Sequence, residues 1–236
     1  PNTRWHREGA GRYWNHIPYP EGILTAVLRK NGFTVNHIDA NVNDNNENEL
    51  FEEVIKKAGK VVGISALSVE YRDAVHKTFA VIKSARPYTK TVLGGVYPSI
   101  SPEVAKRDEN VDFVIISEGE QRLLKLMNCL KNNLPFDDID GLHYRVGKEW
   151  RHNPRKVTGN VSNLNDLPFP DYSDYNTSKL FNWSQKYTQN FQFRKLPTTI
   201  MMTSRGCVYK CTYCGAGKAG NPINDGIKQR TPENVL

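Results

Sequence analysis

Three of the four cysteines in this 236-residue chain lie within eight residues, at Cys207, Cys211 and Cys214. The spacing Cys-x3-Cys-x2-Cys places three thiols on one short loop, where they can converge on a single soft metal centre. A structural zinc site needs four protein ligands, and the nearest other candidates, Cys129 and His152, lie more than fifty residues upstream. The ligand count therefore favours a [4Fe–4S] cluster with one open iron, and leaves zinc as the alternative.

The clustering of these cysteines is not typical of a disulfide framework, and no secretory signal is visible. No apolar run approaches the roughly 18–20 residues that a membrane span needs. We therefore expect a soluble protein of a reducing compartment, the cytoplasm by default. The chain begins with Pro1 rather than Met, which indicates that a native start is missing.

The basic residues are concentrated in the part of the chain that holds the cysteines. The net charge is +7; residues 141–236 carry 14 Lys and Arg against 6 Asp and Glu, whereas residues 1–140 carry 18 against 19. Such a segment can serve an anionic substrate, a nucleic acid or a phosphate-bearing cofactor, or it can be a solvated surface. Charge alone does not distinguish these possibilities.

Helical and strand patterns alternate over residues 20–133. The patterns predict helices at 20–32, 48–59, 70–86 and 119–132, a helix start at 101–103, and strands at 33–40, 61–66, 91–95 and 111–116. This alternation predicts an α/β fold, a doubly wound, Rossmann-like parallel sheet whose first strand is missing. Ligands bind beyond the carboxyl ends of such strands, so the candidate loops are 1–19, 41–48, 66–69, 94–100 and 117–120.

The pattern changes after Pro135. Residues 141–151 predict a β-hairpin with Gly147 at its turn, residues 164–172 are extended and proline-rich, and residues 173–196 have no clear period. A β-like run at 198–202 then precedes the cysteines, and a helix begins near Thr231, close to the end of the chain. We therefore predict a Rossmann-like domain at 1–135, a linker with a hairpin at 136–190, and the truncated start of a further domain at 191–236.

The stretch Arg205-Gly206-Cys207-x3-Cys211-x2-Cys214 resembles the signature of radical S-adenosylmethionine enzymes. The resemblance implies that each cysteine ligates one iron of a [4Fe–4S] cluster and that S-adenosylmethionine chelates the fourth iron. One electron would then cleave S-adenosylmethionine to a 5′-deoxyadenosyl radical that abstracts hydrogen from the substrate. The resemblance also places Tyr213 near the adenine, and makes residues 191–236 the first strand and cluster loop of a partial (β/α) barrel.

The upstream residues resemble the cobalamin-binding domain of a large radical S-adenosylmethionine subfamily. The matching stretches are 19–24, 93–98, 111–114 and 117–120, and residues 166–170 match the connector between the two domains. The resemblance implies that cobalamin is bound by Leu67, Ser68, Val69, Gly94, Gly95, Tyr97, Glu118, Gly119 and Glu120. None of the six histidines lies in the pattern Asp-x-His-x-x-Gly, so a histidine from that motif would not reach the cobalt.

The residue types alone do not decide whether these positions bind cobalamin. Gly94 and Gly95 lack a Cβ and could let the backbone approach a bulky ligand, or they could form a simple turn. A helix start at Glu118 and Glu120 could receive a polar cofactor tail, or the two carboxylates could be charges favoured by the helix dipole.

The two resemblances together imply a cobalamin-dependent radical S-adenosylmethionine enzyme. The leading hypothesis is a methyltransferase that acts on an unactivated carbon or phosphorus centre. A cyclase or rearrangement enzyme with the same cofactors, and a non-enzymatic iron–sulfur or zinc-binding module, are the alternatives. The expected partners are a small-molecule or peptide substrate and an electron donor such as flavodoxin or ferredoxin. Neither a nucleic acid nor a membrane is expected, and no catalytic residue is assignable beyond the cluster ligands.

Overall fold

The computed structural model describes residues 19–38, 47–156, 160–174, 201–209, 211–214 and 226–236. The helices are α1 (Tyr19–Lys30), α2 (Glu47–Lys57), α3 (Arg72–Ala85), α4 (Val96–Ile100), α5 (Pro102–Ala105), α6 (Glu120–Asn132) and α7 (Pro232–Val235). The strands are β1 (Val61–Ser65), β2 (Lys90–Gly94), β3 (Phe113–Ile115), β4 (Leu142–Val146), β5 (Glu149–His152), β6 (Ser204–Arg205) and β7 (Lys228–Gln229). None of the described helices is long and apolar enough to cross a membrane.

The main sheet has the strand order β1-β2-β3-β4-β5. The first three strands are parallel, with Ile64 opposite Leu93 and Leu93 opposite Val114, as the alternation of helices and strands predicted. The predicted hairpin is confirmed as β4 and β5, and β4 pairs antiparallel with β3. The predicted boundary at residue 135 therefore falls within one continuous sheet. Residues 33–38 form no strand, and the remainder of the predicted strand at 33–40 lies outside the described residues.

Helices cover both faces of this sheet, which makes the fold doubly wound. Leu93 and Val114 pack on one face with Leu50 of α2 and Phe79 of α3. The residues that alternate with them in β2 and β3, among them Val92, Phe113 and Ile115, pack on the other face with Leu126 of α6. Because side chains alternate across a strand, near-continuous apolar runs supply both layers.

Helix α6 is joined to the residues that flank the hairpin through a fully buried arginine. The Arg122 guanidinium donates to the Asp140 carboxylate at 2.6 Å and to Asn160 Oδ1 at 2.5 Å. Gly141 has a φ of +65°, and a Cβ at this position would lie 3.1 Å from Arg122 Nε. The glycine therefore provides both the left-handed turn and the room for the arginine.

The proline-rich connector lies along α1. The Gly22 carbonyl accepts a hydrogen bond from the Asp171 amide at 3.0 Å, and a Cβ on Gly22 would lie 2.9 Å from Pro170 Cβ and 2.8 Å from Tyr172 Cε1. Arg29, near the end of the same helix, donates to the Asp171 carboxylate at 2.8 Å. Gly22 thus allows the chain after the hairpin to pack closely on the first helix.

Candidate functional site

The loops that follow β1 and β2 meet at the carboxyl edge of the sheet. The Ala66 amide donates to the Gly94 carbonyl at 2.9 Å, and the Tyr97 amide donates to the Ala66 carbonyl at 2.9 Å. The loop after β3 joins them, because the Ser117 amide donates to Ser99 Oγ at 2.8 Å. Three of the five candidate loops therefore converge as predicted. The other two, 1–19 and 41–48, lie almost wholly outside the described residues.

The two glycines at the end of β2 have different roles. Gly95 has a φ of +96°, and a Cβ there would lie 2.6 Å from the Ala66 carbonyl oxygen. The close approach at Gly95 is therefore to the neighbouring loop; the residue types had left open an approach to a ligand or a simple turn at this position. Among the described residues, a Cβ on Gly94 would meet nothing within 4 Å, so Gly94 is the glycine that leaves space at the carboxyl edge of the sheet.

The loop after β1 exposes two large aliphatic side chains at this edge. The relative exposure of Leu67 is 67% and that of Val69 is 53%. Between them, Ser68 Oγ accepts a hydrogen bond from the Glu70 amide at 3.3 Å and caps a short 3₁₀ turn. Cofactor sites are lined predominantly by apolar side chains, so these residues fit the expected contact with a large ring such as cobalamin.

The resemblance implies that Tyr97 contacts cobalamin, but the structure places its side chain away from the carboxyl edge of the sheet. Its side chain is buried in the core, and its hydroxyl lies 3.2 Å from His76 Nε2. The other ring nitrogen of His76, Nδ1, lies 2.5 Å from the Asp108 carboxylate. Burial raises the pKa of the Tyr97 phenol. Because this hydroxyl is already paired inside the core, only the backbone of Tyr97 is available at the ligand-binding edge.

The carboxylates of the 118–120 turn face the strands around the cysteine loop. Glu120 Oε1 accepts from Arg205 at 2.6 Å, and Glu118 Oε2 lies 3.8 Å from the same guanidinium. Lys228 of β7 lies 3.4 Å from Glu118 Oε1, and the Val161 amide donates to Glu118 Oε2 at 2.8 Å. The acidic pair predicted to contact cobalamin is thus paired with cations of the segment that carries the cysteines.

These ion pairs change the electrostatics of Arg205. Burial lowers its pKa, but the charges of Glu120 and Glu118 more than compensate, and the net pKa lies above the ordinary value. The sequence contained no local signal for this role beyond the position of Arg205 beside Gly206 and Cys207. Lys228 was missed for the same reason, because its acidic partner lies 110 residues away along the chain.

The three motif cysteines lie on the loop that follows β6. All three are free, half-buried thiols; the Tyr209 amide donates to Cys207 Sγ at 3.5 Å, and the Cys214 amide donates to the Cys211 carbonyl at 3.2 Å. No three His, Cys, Asp or Glu side chains of the described residues are grouped closely enough to hold a metal ion. The three thiols of the loop are the donor set of a [4Fe–4S] cluster. In this structure, however, they are not grouped closely enough to hold one metal centre. Tyr213 is exposed.

The backbone geometry at position 206 explains why a glycine directly precedes the first of these cysteines. Its φ is +95°, and a Cβ at this position would lie 1.6 Å from the carbonyl oxygen of Gly226. The backbone at Gly226, which leads into β7, therefore lies so close to Gly206 that no side chain fits at position 206.

Residues 16–126 match the family described as the B12 binding domain. We call this matched segment the B12-binding domain below, after the family that it matches. It includes the three converging loops at the carboxyl edge of the sheet, which is the edge where such folds bind ligands.

Two curated relatives extend the match beyond this domain. The chain is 28% identical to cytidylyl-2-hydroxyethylphosphonate methyltransferase of Streptomyces wedmorensis, over 83% of this chain and 43% of that protein. It is 25% identical to the anaerobic magnesium-protoporphyrin IX monomethyl ester cyclase of Rubrivivax gelatinosus, over 92% of this chain and 38% of that protein. The chain thus spans about two fifths of the length of the curated relatives it matches.

Two solved structures share the fold. The cobalamin-dependent S-adenosylmethionine radical enzyme OxsB, with aqua-cobalamin and S-adenosylmethionine bound, matches with a TM-score of 0.72 at 22% identity, over 93% of this chain and 28% of that chain. The radical S-adenosylmethionine methyltransferase TsrM of Kitasatospora setae, with cobalamin and a [4Fe–4S] cluster bound, matches with a TM-score of 0.69 at 15% identity, over 93% and 42%. The predicted Rossmann-like fold is confirmed.

Proposed function

We propose that this chain is the cobalamin-binding and cluster-binding part of a cobalamin-dependent radical S-adenosylmethionine enzyme. One observation carries the proposal: the strand that leads into Cys207 is paired, through Arg205, with Glu120 at the ligand-binding edge of the B12-binding domain. The predicted cluster loop and the predicted cobalamin edge are thus parts of one structure. The names of the two relatives and the ligands of the two solved structures are consistent with this assignment.

Each part of the site has a distinct task in this proposal. Cys207, Cys211 and Cys214 hold the [4Fe–4S] cluster and Tyr213 lies beside the adenine of S-adenosylmethionine. The exposed aliphatic side chains of the loop after β1 contact the corrin ring, and Gly94 leaves room for it. When bound, the cluster with S-adenosylmethionine supplies a radical, and cobalamin supplies a methyl group. The chain's own residues bind these cofactors and fix their relative positions.

The reaction that we propose is methyl transfer to an unactivated carbon or phosphorus centre. The methyltransferase of Streptomyces wedmorensis and the methyltransferase TsrM support it. The relative named a cyclase favours ring closure with the same cofactors as a second candidate. A small-molecule or peptide substrate, an electron donor such as flavodoxin or ferredoxin, and a cytoplasmic location complete the proposal, with neither a nucleic acid nor a membrane as a partner.

The cluster assignment can be tested on the full protein after anaerobic reconstitution with iron and sulfide. We expect the absorption of a [4Fe–4S] cluster, an electron paramagnetic resonance signal that S-adenosylmethionine alters, and 5′-deoxyadenosine after reduction. Cys211→Ala should lose the cluster, whereas Cys129→Ala, outside the motif, should retain it. Stoichiometric zinc without a cluster would overturn the enzyme proposal. S-adenosylmethionine with a deuterated methyl group separates the candidate reactions, because only methyl transfer carries the label into the product.

The cobalamin assignment can be tested by titration with hydroxocobalamin. We expect saturable binding at micromolar cofactor, seen as a change in the cobalamin absorption spectrum. Leu67→Asp should weaken binding at least about tenfold, because a carboxylate would replace an aliphatic contact. The matched control is Tyr88→Asp, since Tyr88 is a large side chain that is even more exposed than Leu67, precedes β2 and so lies at the opposite edge of the sheet. Unchanged spectra in the wild-type protein would remove cobalamin from the proposal and leave the cluster.

A further inference from the structure

Two acidic side chains at the start of α6 face two cations from the strands on either side of the cysteine loop. Arg205 of β6 donates to Glu120 across a separation of 85 residues, and Lys228 of β7 approaches Glu118 across 110 residues. The same Arg205 guanidinium lies 3.8 Å from Glu118. The four side chains, Glu118, Glu120, Arg205 and Lys228, form one cluster that we call the acidic anchor.

The acidic anchor is largely shielded from water. The side-chain exposure of Arg205 is 17% and that of Glu120 is 7%. Oxygen Oε2 of Glu120 is buried without a hydrogen-bond partner in the part of the chain that the structure describes. Removing one member of a shielded ion pair leaves the other charge uncompensated, so such a pair fixes geometry more strongly than an exposed one.

The strands that carry this anchor need such external support. β6 and β7 are two residues long each, and two-stranded ribbons are marginally stable on their own. On the side of the connector, the Thr231 amide donates to Asn165 Oδ1 at 3.1 Å, and the Arg230 guanidinium lies 5.2 Å from the centre of the Phe169 ring. On the side of the B12-binding domain, the acidic anchor makes the polar contacts described above.

We propose that Glu118 and Glu120 are positioning residues that hold the cluster-bearing strand on the B12-binding domain, and that they do not bind the polar tail of cobalamin. Cys207 follows Arg205 by only two residues, so the anchor determines where the first cluster ligand begins relative to the carboxyl edge of the sheet. This consequence for the spacing of two cofactors rests on the proposed function. The anchoring contact itself does not, because it joins side chains of this chain.

Hydrogen–deuterium exchange on the full protein without cofactors tests the anchor. We expect Glu120→Gln and Arg205→Gln each to speed amide exchange at 203–209 by about tenfold or more, since partner removal opens the strand. The double variant should exchange no faster than either single variant, because both single variants and the double variant break the same contact between Glu120 and Arg205. Lys57→Gln, which removes the exposed pair with Glu53, is the matched control and should leave this segment unchanged. Unaltered exchange at 203–209 in Glu120→Gln would overturn the proposal.

A charge swap and a cobalamin titration complete the test. Glu120→Arg combined with Arg205→Glu should restore part of the protection that either reversal alone removes, an outcome that a general loss of folding would not give. Glu120→Gln should change the affinity for hydroxocobalamin by less than about threefold, well below the effect of Leu67→Asp. Loss of cobalamin binding in Glu120→Gln with normal exchange at 203–209 would contradict the proposal. If the wild-type protein binds no cobalamin, the cobalamin part of the proposed function fails, and the exchange result still decides the anchor.

Discussion

The Cβ atom that an alanine would place at position 95 lies 2.6 Å from the carbonyl oxygen of Ala66. Gly95 also has φ of 96° and ψ of −169°, a region of backbone space that is essentially restricted to glycine. Gly95→Ala should therefore lower the free energy of unfolding by about 3 kcal/mol or more, because the strain and the clash act together. Urea unfolding of the two proteins measures the difference.

Gly94→Ala is the matched control for that variant. A Cβ at position 94 meets no atom of the described part of the chain within 4 Å, so the free energy of unfolding should change by less than about 0.5 kcal/mol. Equal destabilisation of the two variants would show that the contact between Gly95 and Ala66 is not what makes the glycine necessary. Gly94→Ala should instead weaken cobalamin binding if the free space above Gly94 belongs to the cofactor.

Gly206→Ala should disrupt the start of the cysteine loop without unfolding the main sheet. The new Cβ would lie 1.6 Å from the Gly226 carbonyl oxygen, so the pairing of β6 with β7 cannot persist. We expect the iron content after reconstitution to fall at least about fivefold, while the midpoint of urea unfolding changes little, because the two strands are a local unit. Iron analysis and unfolding curves give the two quantities.

The control for Gly206→Ala is Gly147→Ala at the turn of the hairpin. Gly147 also has a positive φ, +62°, but a Cβ there would meet none of the residues that the structure describes within 4 Å. This variant isolates the cost of the left-handed conformation, about 1 kcal/mol, from the cost of a steric clash. Normal iron content in both variants would show that the crossing of Gly206 by Gly226 does not shape the cluster loop.

Arg122→Met should destabilise the B12-binding domain because it leaves Asp140 buried without its partner. The two side chains are 2.6 Å apart, and the expected loss is about 3–5 kcal/mol of unfolding free energy. Adding Asp140→Leu should recover part of this loss, since no charge then stays buried. Arg72→Met is the control, because Arg72 and its partner Asp73 are exposed. Similar losses in Arg122→Met and Arg72→Met, measured by urea unfolding, would contradict this explanation.

The sequence predicted the elements well because their signals are local. Apolar runs such as the one around Leu93 indicate buried parallel strands, and the three-cysteine spacing indicates a cluster loop without any knowledge of the fold. The pairing of β4 with β3 was not predicted, because a hairpin pattern does not specify which strand lies beside it. Similarly, the helix start at Glu118 and Glu120 was recognised, but its cations lie 85 and 110 residues away.

Tyr97 shows why individual ligand contacts were harder to predict than the carboxyl edge of the sheet at which a ligand binds. It follows the two glycines at the end of β2, a position that suggested a ligand contact. Its side chain instead turns inward to His76, which belongs to the helix packed on that face. Sequence position determines which loop a residue joins, whereas the direction of a side chain depends on partners from other elements.

The stability of the domain should decline as the pH falls from about 6.5 to about 4, and His143 should be one cause. Burial, followed by the positive charges of Lys106 and His152, lowers the pKa of His143 from 6.5 to about 4. Within this range the unfolded chain binds a proton at His143 that the folded chain does not, so the stability is complete above about 6.5 and falls as the solution is acidified. Urea unfolding at several pH values should show a smaller decline for His143→Gln. His152→Gln should retain most of the decline in stability, because burial is the largest cause of the lowered pKa of His143. An equally reduced decline in both variants would contradict this explanation.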